Sequence, residues 1–154
     1  MSRKKKLKLD TGDILSINLD NNEYAFARVL TKVSIGHCIE IFDFIADSQS
    51  QYTKVNFQSR LLSPQIIDSY SIFWLRNEGD WEVESKQKDF LPTKDEATKF
   101  KYGDKTNLTL IDIFGNQEAM KENDGNRYPP YSPKGDFQIK KIIKFWRDKN
   151  SGSD

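Results

Sequence analysis

His37 and Cys38 are the only imidazole and the only thiol in the chain, and they are adjacent, as a nucleophile and its base would be. Adjacency on a strand defeats that use, because successive side chains point to opposite faces and cannot meet over one substrate. His37, beside a turn, reads as an edge residue, and Cys38 as a small buried apolar group. A single histidine and a single cysteine exclude a zinc site built from several such ligands, and no disulfide can form within the chain. Asp43 with Asp47, or Glu82 with Glu84, has the residue types for proton transfer or for a hard cation. Nothing in the sequence gives either pair a partner or a pocket, so both read as solvated faces. Neither GxxxxGK(S/T) nor GxGxxG occurs, and Ser16 and Ser71 lack a GxSxG setting. What remains is recognition: the expectation is a binding protein with no catalytic residue, no bound metal and no cofactor.

Two features suit recognition. Phe73, Trp74 and Trp81 bracket an expected hairpin, and Tyr128-Pro-Pro-Tyr131 carries two rings on stiffened backbone; Tyr and Trp are enriched at interface hot spots. Trp74 and Trp81 are also natural core residues, while Tyr128 and Tyr131 divide evenly between core and surface. The second feature is charge. Residues 11–84 hold five cationic and eleven anionic side chains, whereas residues 1–10 hold five cations and one acid. The acids Asp43, Asp47, Asp68, Glu78, Asp80, Glu82 and Glu84 are therefore candidates to face a basic partner and steer its arrival. An acidic body beside a short basic stretch is not the profile of a nucleic-acid reader, whose cations cluster on the folded face. Direct nucleic-acid binding through Arg3 to Lys8 is the weaker alternative, since Glu40, Asp43, Asp68, Glu82 and Glu84 interleave with the aromatic strands and repel phosphate.

The elements that position these residues follow from periodicity. Thr11-Gly12-Asp13 is a turn that opens an alternating strand, with Leu15, Ile17 and Leu19 on one side and Ser16 and Asn18 on the other. Asp20-Asn21-Asn22 predicts a hairpin turn, because Asn and Asp tolerate left-handed backbone. The return strand, residues 23–33, sets Tyr24, Phe26, Arg28 and Leu30 against Ala25, Ala27 and Val29. Its two alanines imply something packed closely over that face, such as a helix. After Ser34-Ile35-Gly36, residues 37–44 set Ile39 and Ile41 against Cys38, Phe42 and Phe44, completing a meander. Residues 45–63 are polar and ambiguous. Residues 66–75 and 81–85, joined by Asn77-Glu78-Gly79-Asp80, read as a second hairpin with Trp81 and Val83 inward and Glu82 and Glu84 outward. Residues 86–104 read as loop, 108–114 as a strand and 115–133 as a long loop. Phe137, Ile139, Ile142, Ile143 and Trp146 recur at helical spacing, opposite Lys140, Lys141, Lys144 and Arg147, with Asp136 as N-cap.

The fold class is accordingly α+β: an antiparallel, strongly twisted sheet, with barrel-like closure as one form, carrying a C-terminal amphipathic helix. One domain spans residues 11–148, with a basic flexible segment at 1–10 and a disordered end at 149–154. No apolar run approaches the ~20 residues needed to cross a bilayer, and no apolar segment follows the basic start as a signal peptide requires. No membrane partner and a cytoplasmic location are expected.

The series Thr11-Gly12-Asp13-Ile14-Leu15-Ser16-Ile17-Asn18-Leu19, Tyr24-Ala25-Phe26-Ala27-Arg28-Val29-Leu30 and Ile39-Glu40-Ile41-Phe42-Asp43-Phe44 resembles the opening of the immunity protein 26 family. The stretch from Trp74 to Trp81 is similar to that family's second hairpin, and the likeness covers about residues 10–85. It implies an antitoxin of a bacterial polymorphic-toxin or contact-dependent inhibition system, one that binds a cognate toxin domain, a basic nuclease above all, and occludes its active site. Gly12, Asp13, Phe26, Arg28, Phe42, Trp74 and Trp81 match the family pattern and are expected to serve the fold, with Arg28 pairing Asp13 or Asp43. The rivals are a nucleic-acid-associated small β-barrel module and an enzyme working through carboxylates alone.

Overall fold

The computed structural model describes residues 8–74, 80–93, 98–104, 107–120 and 127–151. Strands β1 (Asp13–Asn18), β2 (Tyr24–Val33) and β3 (Gly36–Ile41) form the expected antiparallel meander. Its first turn is three consecutive left-handed residues, Asp20, Asn21 and Asn22, closed by the Leu19 N–H donating to the Glu23 carbonyl at 2.8 Å. Strands β4 (Gln65–Ile67) and β5 (Trp81–Lys86) complete a five-stranded sheet in the order β4-β3-β2-β1-β5. A smaller antiparallel sheet contains β6 (Lys99–Tyr102), β7 (Thr109–Asp112) and β8 (Gln117–Ala119), and helix α1 spans Asp136–Ser151.

The fold is thus α+β and antiparallel, with its sheets open rather than closed into a barrel. One pairing differs from expectation. The second hairpin does not form, because β4 lies beside β3 at one edge while β5 joins β1 at the other. β4 stops after three residues: the Asp68 carboxylate accepts the Ser71 N–H, and the chain winds into a single π-type turn at Tyr70–Trp74. β5 then pairs with β1 across residues that no local pattern links, Ile17 opposite Trp81.

One face of the large sheet carries α1. Ala25, Ala27 and Val29 lie there with Leu15, Ile17, Ile39 and Ile41, and Ile139 and Ile143 of the helix bury completely against them. The alanines keep this face low enough for a helix to approach, as their placement predicts. Leu9 belongs to the same cluster. Gly135, not Asp136, caps the helix: the Ile139 N–H donates to the Gly135 carbonyl, and the Gln138 side chain reaches back to the Gly135 N–H. The Asp136 carboxylate instead accepts from Trp81 Nε1 at 2.7 Å and pairs with Lys140 at 2.9 Å. Two further departures follow. Lys140 is buried and also reaches Asp80, and Phe137 stands in solvent rather than in the core.

The opposite face carries two aromatic clusters. Phe26, Phe42, Ala46 and Val55 gather under a 3-10 turn at Gln49–Lys54, and Leu30, Cys38 and Ile66 pack against Phe100 and Ile111 of the small sheet and Ile113 just after β7.

Candidate functional site

Arg28 sits at the centre of β2 and faces Glu40 across the β2–β3 ladder. The Arg28 Nε donates to Glu40 Oε2 at 2.8 Å, and its Nη1 donates to the side-chain oxygen of Gln87 at 2.9 Å. A backbone bridge between Phe42 and Arg60 brings a second guanidinium alongside, and Arg60 Nε donates to Glu40 Oε1 at 2.9 Å. Glu40 is only 3% exposed, so both its oxygens are satisfied by cations rather than by water. The Arg28 guanidinium also lies over three rings, at 3.7 Å from the Phe90 centroid, 4.9 Å from Phe57 and 5.6 Å from Phe42. A groove of about 420 Å³ opens here, lined by Arg28, Glu40, Arg60, Leu30, Phe57 and Phe90 among others. It marks the seam between the two aromatic clusters, and its volume is that of a small ligand or of a few partner side chains.

The expected pairing of Arg28 with Asp13 or Asp43 is therefore replaced by pairing with Glu40. Asp13 is buried and bonds Lys86 Nζ at 3.1 Å and the Asp10 N–H at 2.9 Å; this carboxylate pushes the Lys86 ammonium above its ordinary range. Asp43 is exposed. Gly12 explains its own place: with φ +92°, it brings its backbone so close to Gln87 that a Cβ would lie 2.2 Å from that residue's carbonyl oxygen.

The acids expected to face a partner separate into groups. Glu82 and Glu84 project from β5 away from α1 and are half-buried. Ser16 Oγ donates to Glu84 at 2.7 Å, and Gln49 Nε2 donates to Glu82 at 2.8 Å, which fixes the 3-10 turn against the β5 edge. Asp47 is exposed and lines a separate shallow groove with Asn22, Glu23, Ile45 and Gln51. Asp68 is used as the cap of the π-type turn, and Asp80 meets Lys140 on the helix side. Glu78 lies outside the described residues.

The aromatic candidates are mostly interior. Trp81 is buried in the helix-side core with Phe73 edge-on at 6.0 Å, and Phe26 and Phe42 are fully buried. The side chain of Trp74 lies outside the described residues. Tyr128 is 8% exposed, and Tyr131 packs on Phe100 and Tyr102 while its hydroxyl meets Ser34. Their loop lies along β6, where the Lys101 N–H donates to the Pro129 carbonyl and the Tyr131 N–H to the Lys101 carbonyl.

His37 and Cys38 do point apart. Cys38 is buried beside Leu30 and Ile66, while His37 Nδ1 bonds the Ser69 hydroxyl on the other face. Burial holds the imidazole below its ordinary 6.5, and Lys32 adds to this; the Leu9 carbonyl, Asp13 and Asp10 oppose it. Among the described residues no three His, Cys, Asp or Glu side chains gather as a metal site would require.

Sequence reasoning missed the roles of Glu40, Arg60 and Gln87 in the groove. Glu40 occupied a polar position of an alternating strand, which is also where a solvated acid belongs. Arg60 and Gln87 lie 20 and 59 positions from their partners, in segments without periodicity.

No curated protein and no solved structure matches the chain. Residues 10–110 match the family described as immunity protein 26, a span that takes in β1 to β6, the Gly12-Asp13 turn, the Arg28–Glu40–Arg60 cluster and the β5 acids, and ends within β7. With more than half its length so matched, the chain belongs to the immunity protein 26 family.

Proposed function

We propose that this protein is the antidote to a cognate toxin domain of a bacterial polymorphic-toxin or contact-dependent inhibition system. It works by docking and not by turnover, in the cytoplasm, and it covers the active site of a basic nuclease. The family match over residues 10–110 carries the reading, since an immunity protein implies a toxin partner. The surface that supports it is the β5 edge, where the Glu82 and Glu84 carboxylates held by Gln49 and Ser16 offer fixed negative charge to a substrate groove built for phosphates. A standard complex of this kind buries roughly 1,200–2,000 Å².

Co-expression with candidate toxin domains encoded by neighbouring genes tests the core of the reading: with the cognate one, growth is rescued and a one-to-one complex co-purifies. The surface is tested separately. Changing Glu82→Gln together with Glu84→Gln preserves hydrogen bonding but removes charge, and slows association on the order of tenfold at low salt. Rescue with an unaltered on-rate removes this surface from the proposal and leaves the antidote role standing.

A further inference from the structure

The solvent side of α1 is not purely polar. Phe137 and Phe145 are 77% and 60% exposed, while Ile139 and Ile143 on the opposite side are fully buried. Eight positions separate the two rings, a rise of about 12 Å along the helix. Lys141 lies between them and is exposed, with Lys144 alongside. Phe145 packs edge-on against half-buried Trp146 at 5.8 Å, and Lys149 Nζ sits 4.7 Å above that indole, so the rings and cations form one continuous strip. The one acid on this side, Asp148, is held by Arg147 at 3.1 Å. Arg147 also reaches Glu23 at 2.6 Å, and the Asp136–Lys140 pair secures the other end, so the strip is presented rigidly.

We propose that this side of α1 rests on an anionic lipid surface, with Phe137 and Phe145 entering the headgroup boundary and Lys141, Lys144 and Lys149 meeting lipid phosphates. An interfacial helix combines these two components, apolar insertion and cationic attraction. The strip carries Lys141, Lys144 and Lys149 against the single acid Asp148, an excess of positive charge that opposes a second copy of the same face. Residues 1–10 hold five more cations, and an extended, fluid anionic surface attracts such charge without a shaped complement. The strip lies outside the matched span of residues 10–110 and on the opposite side of the large sheet from Glu82 and Glu84, so the inference is independent of toxin docking.

Sedimentation of the full chain with vesicles of phosphatidylglycerol and phosphatidylethanolamine at low salt tests it. The protein binds these vesicles and binds phosphatidylcholine vesicles about tenfold more weakly. Phe137→Ala with Phe145→Ala weakens binding about fivefold, with an unchanged melting curve because neither ring is in the core. Lys141→Gln with Lys144→Gln also weakens it. Absence of binding by the unaltered chain, or binding indifferent to both variants, overturns the proposal. So does a self-associated species that the Phe variant disperses while vesicles bind neither form.

Discussion

The two faces of the five-stranded sheet are made by the same strands and held by different physics. Toward α1, alternate residues of β1, β2 and β3 are aliphatic or alanine, and the helix closes over them with Ile139 and Ile143. Away from α1, Phe26, Phe42, Arg28 and Glu40 stand among smaller groups such as Ser16, Leu30 and Cys38, and the central contact is Glu40 between two arginines. The first face depends on area removed from water, which is non-directional and tolerant of detail. The second depends on each charge meeting its partner, since a buried ion left alone costs more than the pair gains.

The sharpest way to break that comparison is Glu40→Ala, which leaves Arg28 among the phenyl rings without its carboxylate. A loss of about 3–5 kcal/mol in urea unfolding is expected, and a loss below 1 kcal/mol means water already screens the cluster. On the other face, Ile143→Ala removes only packing and costs about 3 kcal/mol by the same measurement. A combined Arg28→Met, Glu40→Leu and Arg60→Met exchange then sharpens the distinction. Replacing a whole buried ion cluster by apolar groups of similar volume is close to neutral, so this variant falls within about 1 kcal/mol of the parent. A deficit as large as that of Glu40→Ala would show that the cluster holds the face by geometry rather than by charge balance. The smallest effect comes from the helix side, where His37 is the ionisable intruder. Burial lowers its proton affinity, so the unfolded chain takes the proton first as the pH falls. Stability is level above the ordinary value of 6.5 and declines as the pH drops through it; His37→Gln removes that decline, read from melting temperatures between pH 5 and 8.

The same division governs what the residues disclosed in advance. The aliphatic face was legible because alternation in β1 to β3 and the 3.6-residue period of α1 are local, and the Ala25–Ala27 pair marked where the helix would lie. Even there Phe137 and Lys140 exchanged expected places, since Lys140 finds Asp136 and Asp80 only after folding. The ionic face was not legible. The family pattern marks Arg28, yet sequence spacing cannot separate Asp13 and Asp43 from its actual partner, Glu40. Alternation along β5 sets Glu82 and Glu84 opposite Trp81 and Val83, but it carries no information that β5 pairs with β1 rather than with β4. The segment from Ile66 to Leu75 was rich in strand formers, and the short-range bond from Ser71 to Asp68 overrode that preference. β6 and β8 leave no mark in the sequence, because charged strands of four residues or fewer carry almost no periodic signal.

The position of β1 between β2 and β5 has a consequence for how the chain comes into being. Ser16 and Glu84, bonded in the finished sheet, are 68 positions apart. At roughly 5–20 residues per second the ribosome delivers β5 several seconds after β1. Through that interval the nascent meander shows an unpaired margin, open to pairing with other chains. Maturation is therefore gated by the late arrival of a partner strand, and translation pauses within residues 20–80 would lengthen the period of vulnerability.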